Sequence, residues 1–147
     1  MEKIASIEIV KDLLLEYGLT AKKSFGQNFL IDFSTVEKIM AVLNPQKDEQ
    51  IMEIGPGLGA LTQALLEQDS KVVAIELDRD LVKVLTDKLK PQYKKLTIIS
   101  SDFLKSDWEN YQPTKIVGNL PYYITTPIIT EILKKSSGTK TLLFTIQ

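Results

Sequence analysis

The sequence predicts an α/β domain in which a mostly parallel sheet carries helices on both faces. From Ile51 onward, short apolar runs alternate with amphipathic stretches of helical period. The last run, residues 141–146, is continuously apolar in the manner of strands buried on both faces. A glycine cluster at 55–59 marks the junction of the first run with the next stretch, where the chain must turn tightly. Alternation of this regularity calls for right-handed crossovers, and so for a Rossmann-like, doubly wound arrangement.

Each element follows in order. Ile7, Val10, Leu13, Leu14 and Tyr17 recur at helical spacing, and Gly18 follows as a C-terminal cap. Residues 20–32 lack a clean period and read as a loop. Ser34-Thr35-Val36-Glu37 has the pattern of a capping box for a helix bearing Val36, Ile39, Met40 and Leu43, which Asn44-Pro45 stops. Residues 51–54, 72–76 and 96–100 read as strands, with helices over 60–67 and 80–89 between them. After a polar stretch containing Trp108, residues 115–118 form a fourth strand. Pro127 suits the first residue of a helix whose buried face is Ile128, Ile129, Ile132 and Leu133. Gly138 ends it, and 141–146 is the fifth strand. The sequence stops at Gln147 directly afterwards, which suggests a truncated fold. Its fifth strand would present unpaired backbone groups beside Leu142, Leu143, Phe144 and Ile146, a route to self-association.

Composition narrows the chemistry. The chain has 147 residues, 44% hydrophobic and 25% charged, which fits one globular domain with a core. No apolar run approaches the roughly 18 to 20 residues that cross a bilayer, and Glu2, Lys3 and Glu8 interrupt the N-terminus unlike a secretory signal. A cytoplasmic protein with no membrane partner is expected. Cysteine and histidine are both absent, which removes disulfides, Ser-His-Asp and Cys-His catalysis and ordinary zinc sites. The net charge of -1 is not that of a self-sufficient nucleic-acid binder. Lys22-Lys23 and Lys88, Lys90, Lys94 and Lys95 are the basic clusters, and solvated faces account for them.

Four positions converge on one crevice. Glu53-Ile54-Gly55-Pro56-Gly57-Leu58-Gly59-Ala60 joins the first strand to the next helix, so its glycines admit a ligand to the main chain and the helix amides point at it. Gly55, Gly57 and Ala60 also satisfy the dinucleotide pattern G-x-G-x-x-G/A, so an NAD-dependent oxidoreductase is one reading and a purely structural turn another. Glu76 closes the second strand where such folds hold a ribose. Asp102 follows the third strand, where its carboxylate can accept from a cofactor adenine while Phe103 packs on the ring, or can simply cap a turn. Asn119-Leu120-Pro121-Tyr122 follows the fourth strand. An adenine N6 amine is a poor nucleophile because its lone pair is delocalised, and the Asn119 side-chain oxygen and the Leu120 carbonyl are acceptors that favour pyramidal geometry. Pro121 restrains Leu120, and Tyr122 offers a stacking face. Methyl transfer from a sulfonium is an in-line displacement that needs alignment rather than a histidine base.

With these residues in view, the chain resembles the ribosomal RNA adenine dimethyltransferase family, and within it the bacterial small-subunit branch. The resemblance runs nearly the whole length. It rests on Lys23-Ser24-Phe25-Gly26-Gln27-Asn28-Phe29-Leu30, the Glu53 to Gly59 loop, Ile75-Glu76-Leu77-Asp78, Ser101-Asp102-Phe103 and Gly118-Asn119-Leu120-Pro121-Tyr122-Tyr123. Tyr123-Ile124-Thr125-Thr126-Pro127 also favours the small-subunit branch over large-subunit resistance enzymes. The resemblance implies a class I methyltransferase domain that uses S-adenosyl-L-methionine and methylates N6 of two adjacent adenosines in small-subunit (16S) ribosomal RNA of the immature subunit. It implies that Gln27, Asn28, Leu30, Glu53, Gly55, Gly57, Glu76, Leu77, Asp102, Phe103 and Asn119 hold the cofactor. Asn119, Leu120, Pro121 and Tyr122 would then form the catalytic turn. The family continues with further strands and a helical RNA-engaging domain, so the expectation for this chain is cofactor binding with impaired turnover. A ribosome-assembly module that keeps the fold without catalysis is the other alternative.

Overall fold

A computed structural model describes residues 1–22, 29, 32–136 and 138–146. Among these residues five helices, α1 (Ile7–Glu16), α2 (Phe33–Leu43), α3 (Ala60–Glu67), α4 (Arg79–Lys88) and α5 (Tyr122–Lys135), accompany five strands. The strands are β1 (Gln50–Ile54), β2 (Lys71–Glu76), β3 (Leu96–Ser100), β4 (Lys115–Leu120) and β5 (Thr141–Ile146), and 3-10 turns at Phe103–Lys105 and Trp108–Tyr111 link β3 to β4. All pairings are parallel, in the order β3-β2-β1-β4-β5. The chain builds outward from β1 to β3, then returns to the other side of β1 with β4. The carboxyl ends of β1 and β4 are therefore the topological switch point, where doubly wound sheets form a ligand crevice.

Two cores result from the period of two along each strand. Ile51, Val72, Ala74, Leu96 and Val117 face α1 to α4, meeting Leu13, Val36, Leu43, Leu61, Leu65 and Leu85. Met52, Ile54, Val73, Ile75 and Ile116 face the other way, onto Ile128 and Ile132 of α5 and onto Phe103 and Trp108. Trp108 sits in a stretch that is polar in sequence, yet it is fully buried and its ring stacks on Phe103 at 5.2 Å.

Several boundaries differ from the sequence reading. Helix α2 is capped by Asp32, not by a Ser34 box: its carboxylate accepts from the Ser34 amide and from the hydroxyls of Ser34 and Thr35, so the helix starts at Phe33. Asn44 then ends it in the left-handed region, at φ 47. Strand β4 runs two residues further than predicted, because Asn119 and Leu120 pair with Thr145 and Ile146. Helix α5 starts at Tyr122 with Pro121 as its N-cap, which places Pro127 inside the helix. Having no amide hydrogen, Pro127 leaves the Tyr123 carbonyl without its helical donor. Leu133, expected on the buried face, is 73% exposed. Strand β5 is half-buried rather than enclosed, because it stands at the edge of the sheet with β4 as its one neighbour. Among the described residues no helix is long and apolar enough to cross a membrane.

Candidate functional site

The loop after β1 is built on positive backbone angles. Gly55, Gly57 and Gly59 lie at φ 66, 61 and 96, a region that L side chains enter at a cost of roughly 1 to 2 kcal/mol. Their bare Cα atoms also admit close neighbours. A Cβ on Gly55 would stand 3.3 Å from Leu120 Cδ2, and one on Gly57 3.2 Å from Phe29 Cδ1. The loop thus lets β4 approach from one side while the start of α3 lies behind it.

A cavity of about 130 Å³ opens at this switch point. Of the residues read from sequence, Glu53, Gly55, Gly57, Glu76, Leu77, Asp102, Phe103, Asn119, Leu120 and Pro121 all line it. Gln27, Asn28 and Leu30 lie outside the described residues. Tyr122 is not in the lining; it stands 70% exposed beside it, in edge-to-face contact with Tyr123 at 6.1 Å between ring centroids. The turn from Asn119 to Tyr122 therefore joins an enclosed cavity to an open aromatic surface.

The three acids differ in environment. Glu76, 7% exposed, accepts the Gly57 amide at one carboxylate oxygen (3.0 Å) and the Asp78 amide at the other (3.1 Å). It ties the ends of β1 and β2 together and turns a carboxylate into the cavity. Burial raises its pKa, against the pull of those amides. Asp102 caps the first 3-10 turn by accepting the Leu104 amide at 3.0 Å, so the capping role is real and uses one oxygen. Glu53, 3% exposed, accepts from the Thr62 hydroxyl of α3. Burial pushes it up to about 8, the Glu76 charge adds to the rise, and the Thr62 hydrogen bond opposes it.

Two polar partners were not legible beforehand. Thr62 is fully buried beneath Glu53. Thr145 of β5, opposite Asn119 in the register, donates its hydroxyl to Asn119 Oδ1. Locating Thr145 requires the β4–β5 pairing, which no local pattern encodes. Phe103, expected against a ligand ring, is 4% exposed and gives one ring face to Trp108.

A family model described as ribosomal RNA adenine dimethylase matches residues 18–147. A ribosomal RNA small subunit methyltransferase A of Clostridium botulinum (strain Loch Maree / Type A3) is 43% identical over 141 residues, covering 93% of this chain and 51% of the relative. Its counterpart in Ligilactobacillus salivarius (strain UCC118) is 39% identical over 155 residues, covering 100% of this chain and 52% of the relative. The chain spans about half the length of the curated relatives it matches. Among solved structures, the 23S rRNA methyltransferase ErmE superposes with TM-score 0.73 at 31% identity, covering 82% of this chain and 48% of that one. A dimethyladenosine transferase from Plasmodium falciparum gives 0.67 at 26%, covering 77% and 42%. An RNA methyltransferase from Salinibacter ruber in complex with S-adenosyl-L-homocysteine gives 0.67 at 18%, covering 77% and 76%, a likeness of fold. A Rossmann-like methyltransferase fold, a glycine loop and an Asn-Leu-Pro-Tyr turn meeting at its switch point, and a match over most of the sequence lead to one conclusion: the chain belongs to the ribosomal RNA adenine dimethylase family.

Proposed function

We propose that residues 1–147 form an S-adenosyl-L-methionine-binding domain that takes part in methylating N6 of two adjacent adenosines in small-subunit ribosomal RNA, acting on the immature subunit in the cytoplasm. One observation carries the reading: Asn119, Leu120 and Pro121 line the same cavity as Gly55, Gly57 and Glu76, so an acceptor turn and a cofactor loop share one space. The cavity suits the cofactor in kind. Its bare glycines admit a ligand to the backbone, Glu76 presents acceptors to a ribose, and three carboxyl groups favour a positively charged molecule. When bound, the cofactor supplies an activated methyl group; the chain has to hold and align the nitrogen that receives it.

Asn119 Oδ1 and the Leu120 carbonyl are the acceptors for the N6 hydrogens. The Thr145 hydroxyl donates to Asn119 Oδ1, which orients the amide at the cavity. Tyr122, exposed next to the cavity, stacks on the adenine once it leaves the RNA stack, a contact worth roughly 1 to 3 kcal/mol. The switch-point geometry alone would also serve a nicotinamide dinucleotide, but that reading gives the Asn119 to Tyr122 turn no task.

The test is single-turnover methyl transfer to unmethylated small subunits by the wild-type chain and by Asn119→Ala. At saturating cofactor the variant should lose transfer by about 10²-fold, the scale for removing one preorganised hydrogen-bonding group. Equal transfer by the variant, or methyl groups found elsewhere than adenine N6, would overturn the assignment.

A further inference from the structure

The cavity carries an unbalanced charge. Glu53, Glu76 and Asp102 all line it, and no lysine or arginine does so among the described residues. Two of these acids have backbone amides to stabilise a negative charge. Glu53 has the Thr62 hydroxyl as its hydrogen-bond partner among the described residues, and it is almost completely buried. An ionised carboxyl in such a place lacks the solvation that would hold its charge.

Among the described residues its surroundings supply no counter-ion. On β2, the nearby charge is Glu76, of like sign. On β4, the residue in register with Glu53 is Val117. The charged side chains of α2 (Glu37, Lys38), α3 (Glu67) and α4 (Arg79, Asp80, Lys83, Asp87) are exposed, and the half-buried Lys88 pairs with Glu16. Burial and the neighbouring acid together push the Glu53 carboxyl up to about 8.

We infer that Glu53 is protonated in the ligand-free crevice and releases its proton to solvent when the cationic amino-acid end of S-adenosylmethionine binds, becoming a counter-ion only while a positive ligand is present. The balance is simple: a neutral carboxyl and a cation become a carboxylate, the same cation and one proton in the buffer. An acid that ionises only with its ligand spares the empty crevice a third negative charge beside Glu76 and Asp102, and it selects against uncharged ligands of similar shape. The inference rests on the cofactor assignment proposed above.

Calorimetric titration of the wild-type chain at pH 6.5, in a series of buffers of different ionisation enthalpy, counts the protons exchanged. With S-adenosylmethionine the expected release is close to one proton per ligand, and it should fall to near zero in Glu53→Gln. The ligand 5′-methylthioadenosine carries neither the ammonium nor the sulfonium and should release none. S-adenosylhomocysteine keeps only the ammonium: release with it assigns the ammonium as partner, and its absence assigns the sulfonium. Should the variant not fold, the wild-type affinity for S-adenosylmethionine must still rise between pH 6 and pH 7.5 by up to about tenfold per unit. Binding of S-adenosylmethionine without buffer dependence, or equal release with 5′-methylthioadenosine, overturns the inference while leaving the cofactor assignment intact. No binding by a folded chain removes both.

Discussion

Replacing Gly59 with alanine tests how the glycine loop is held against the fold. Gly59 is the N-cap of α3 at φ 96, and an added Cβ would lie 2.5 Å from Leu89 Cδ1 and 2.9 Å from Leu85 Cδ2. Both leucines are fully buried, so neither methyl can swing into solvent. The left-handed backbone costs roughly 1 to 2 kcal/mol and the overpacking roughly 1 to 3, about 2 to 5 together. Gly18→Ala separates the two effects. It has φ 63 and nothing within 4 Å, so it should lose only the backbone part, about 1 to 2 kcal/mol. With a urea m-value of about 2 kcal/mol per molar, Gly59→Ala should lower the unfolding midpoint by about 1 to 2.5 M, against about 0.5 to 1 M for Gly18→Ala. Equal shifts for the two variants would refute the packing argument.

Further expectations concern the polar groups of the crevice. Glu76→Ala strands the half-buried Gly57 amide and the buried Asp78 amide, so thermal unfolding should report a loss of about 1 to 3 kcal/mol even without ligand. A change within error would mean that those amides find other acceptors. Thr145→Val keeps the side-chain shape but removes the donor to Asn119 Oδ1; methyl transfer should fall while cofactor affinity holds, and Thr145→Ser should restore transfer. Loss of cofactor affinity instead would show that Thr145 shapes the cavity and not the amide. Glu53 binds a proton more tightly when folded than when unfolded, so its contribution to stability is complete below about pH 4.5 and is lost as pH rises towards 8. Urea midpoints should therefore drop between pH 5.5 and pH 8.5, and less so in Glu53→Gln; an equal drop in both proteins would assign the effect to other groups.

Much of this arrangement is written in local patterns. Helix α3 and strand β3 fall where apolar period and flanking punctuation put them, and the glycine loop, Glu76 and Asp102 can be placed because each closes a predicted strand. Pro127 misleads because local preference favours proline at a helix start, whereas β5 extends β4 by pairing through Leu120 and forces α5 to begin at Tyr122. Leu133 fits the apolar stripe of α5, yet the turn of that helix leaves it facing outward. The Thr62 and Thr145 contacts depend on helix-to-sheet packing and strand register, and these are long-range facts. Half-burial of β5 follows from strand order, which periodicity does not contain.

The central claim, that this crevice is a methyltransferase cofactor site, is tested most directly by titrating the chain with S-adenosylmethionine, with NAD and Glu76→Ala as controls. Saturable binding of S-adenosylmethionine is expected, with none of NAD and at least tenfold weaker binding in the variant, equivalent to about 1.4 kcal/mol. A folded chain that binds NAD, or that ignores S-adenosylmethionine, would contradict it.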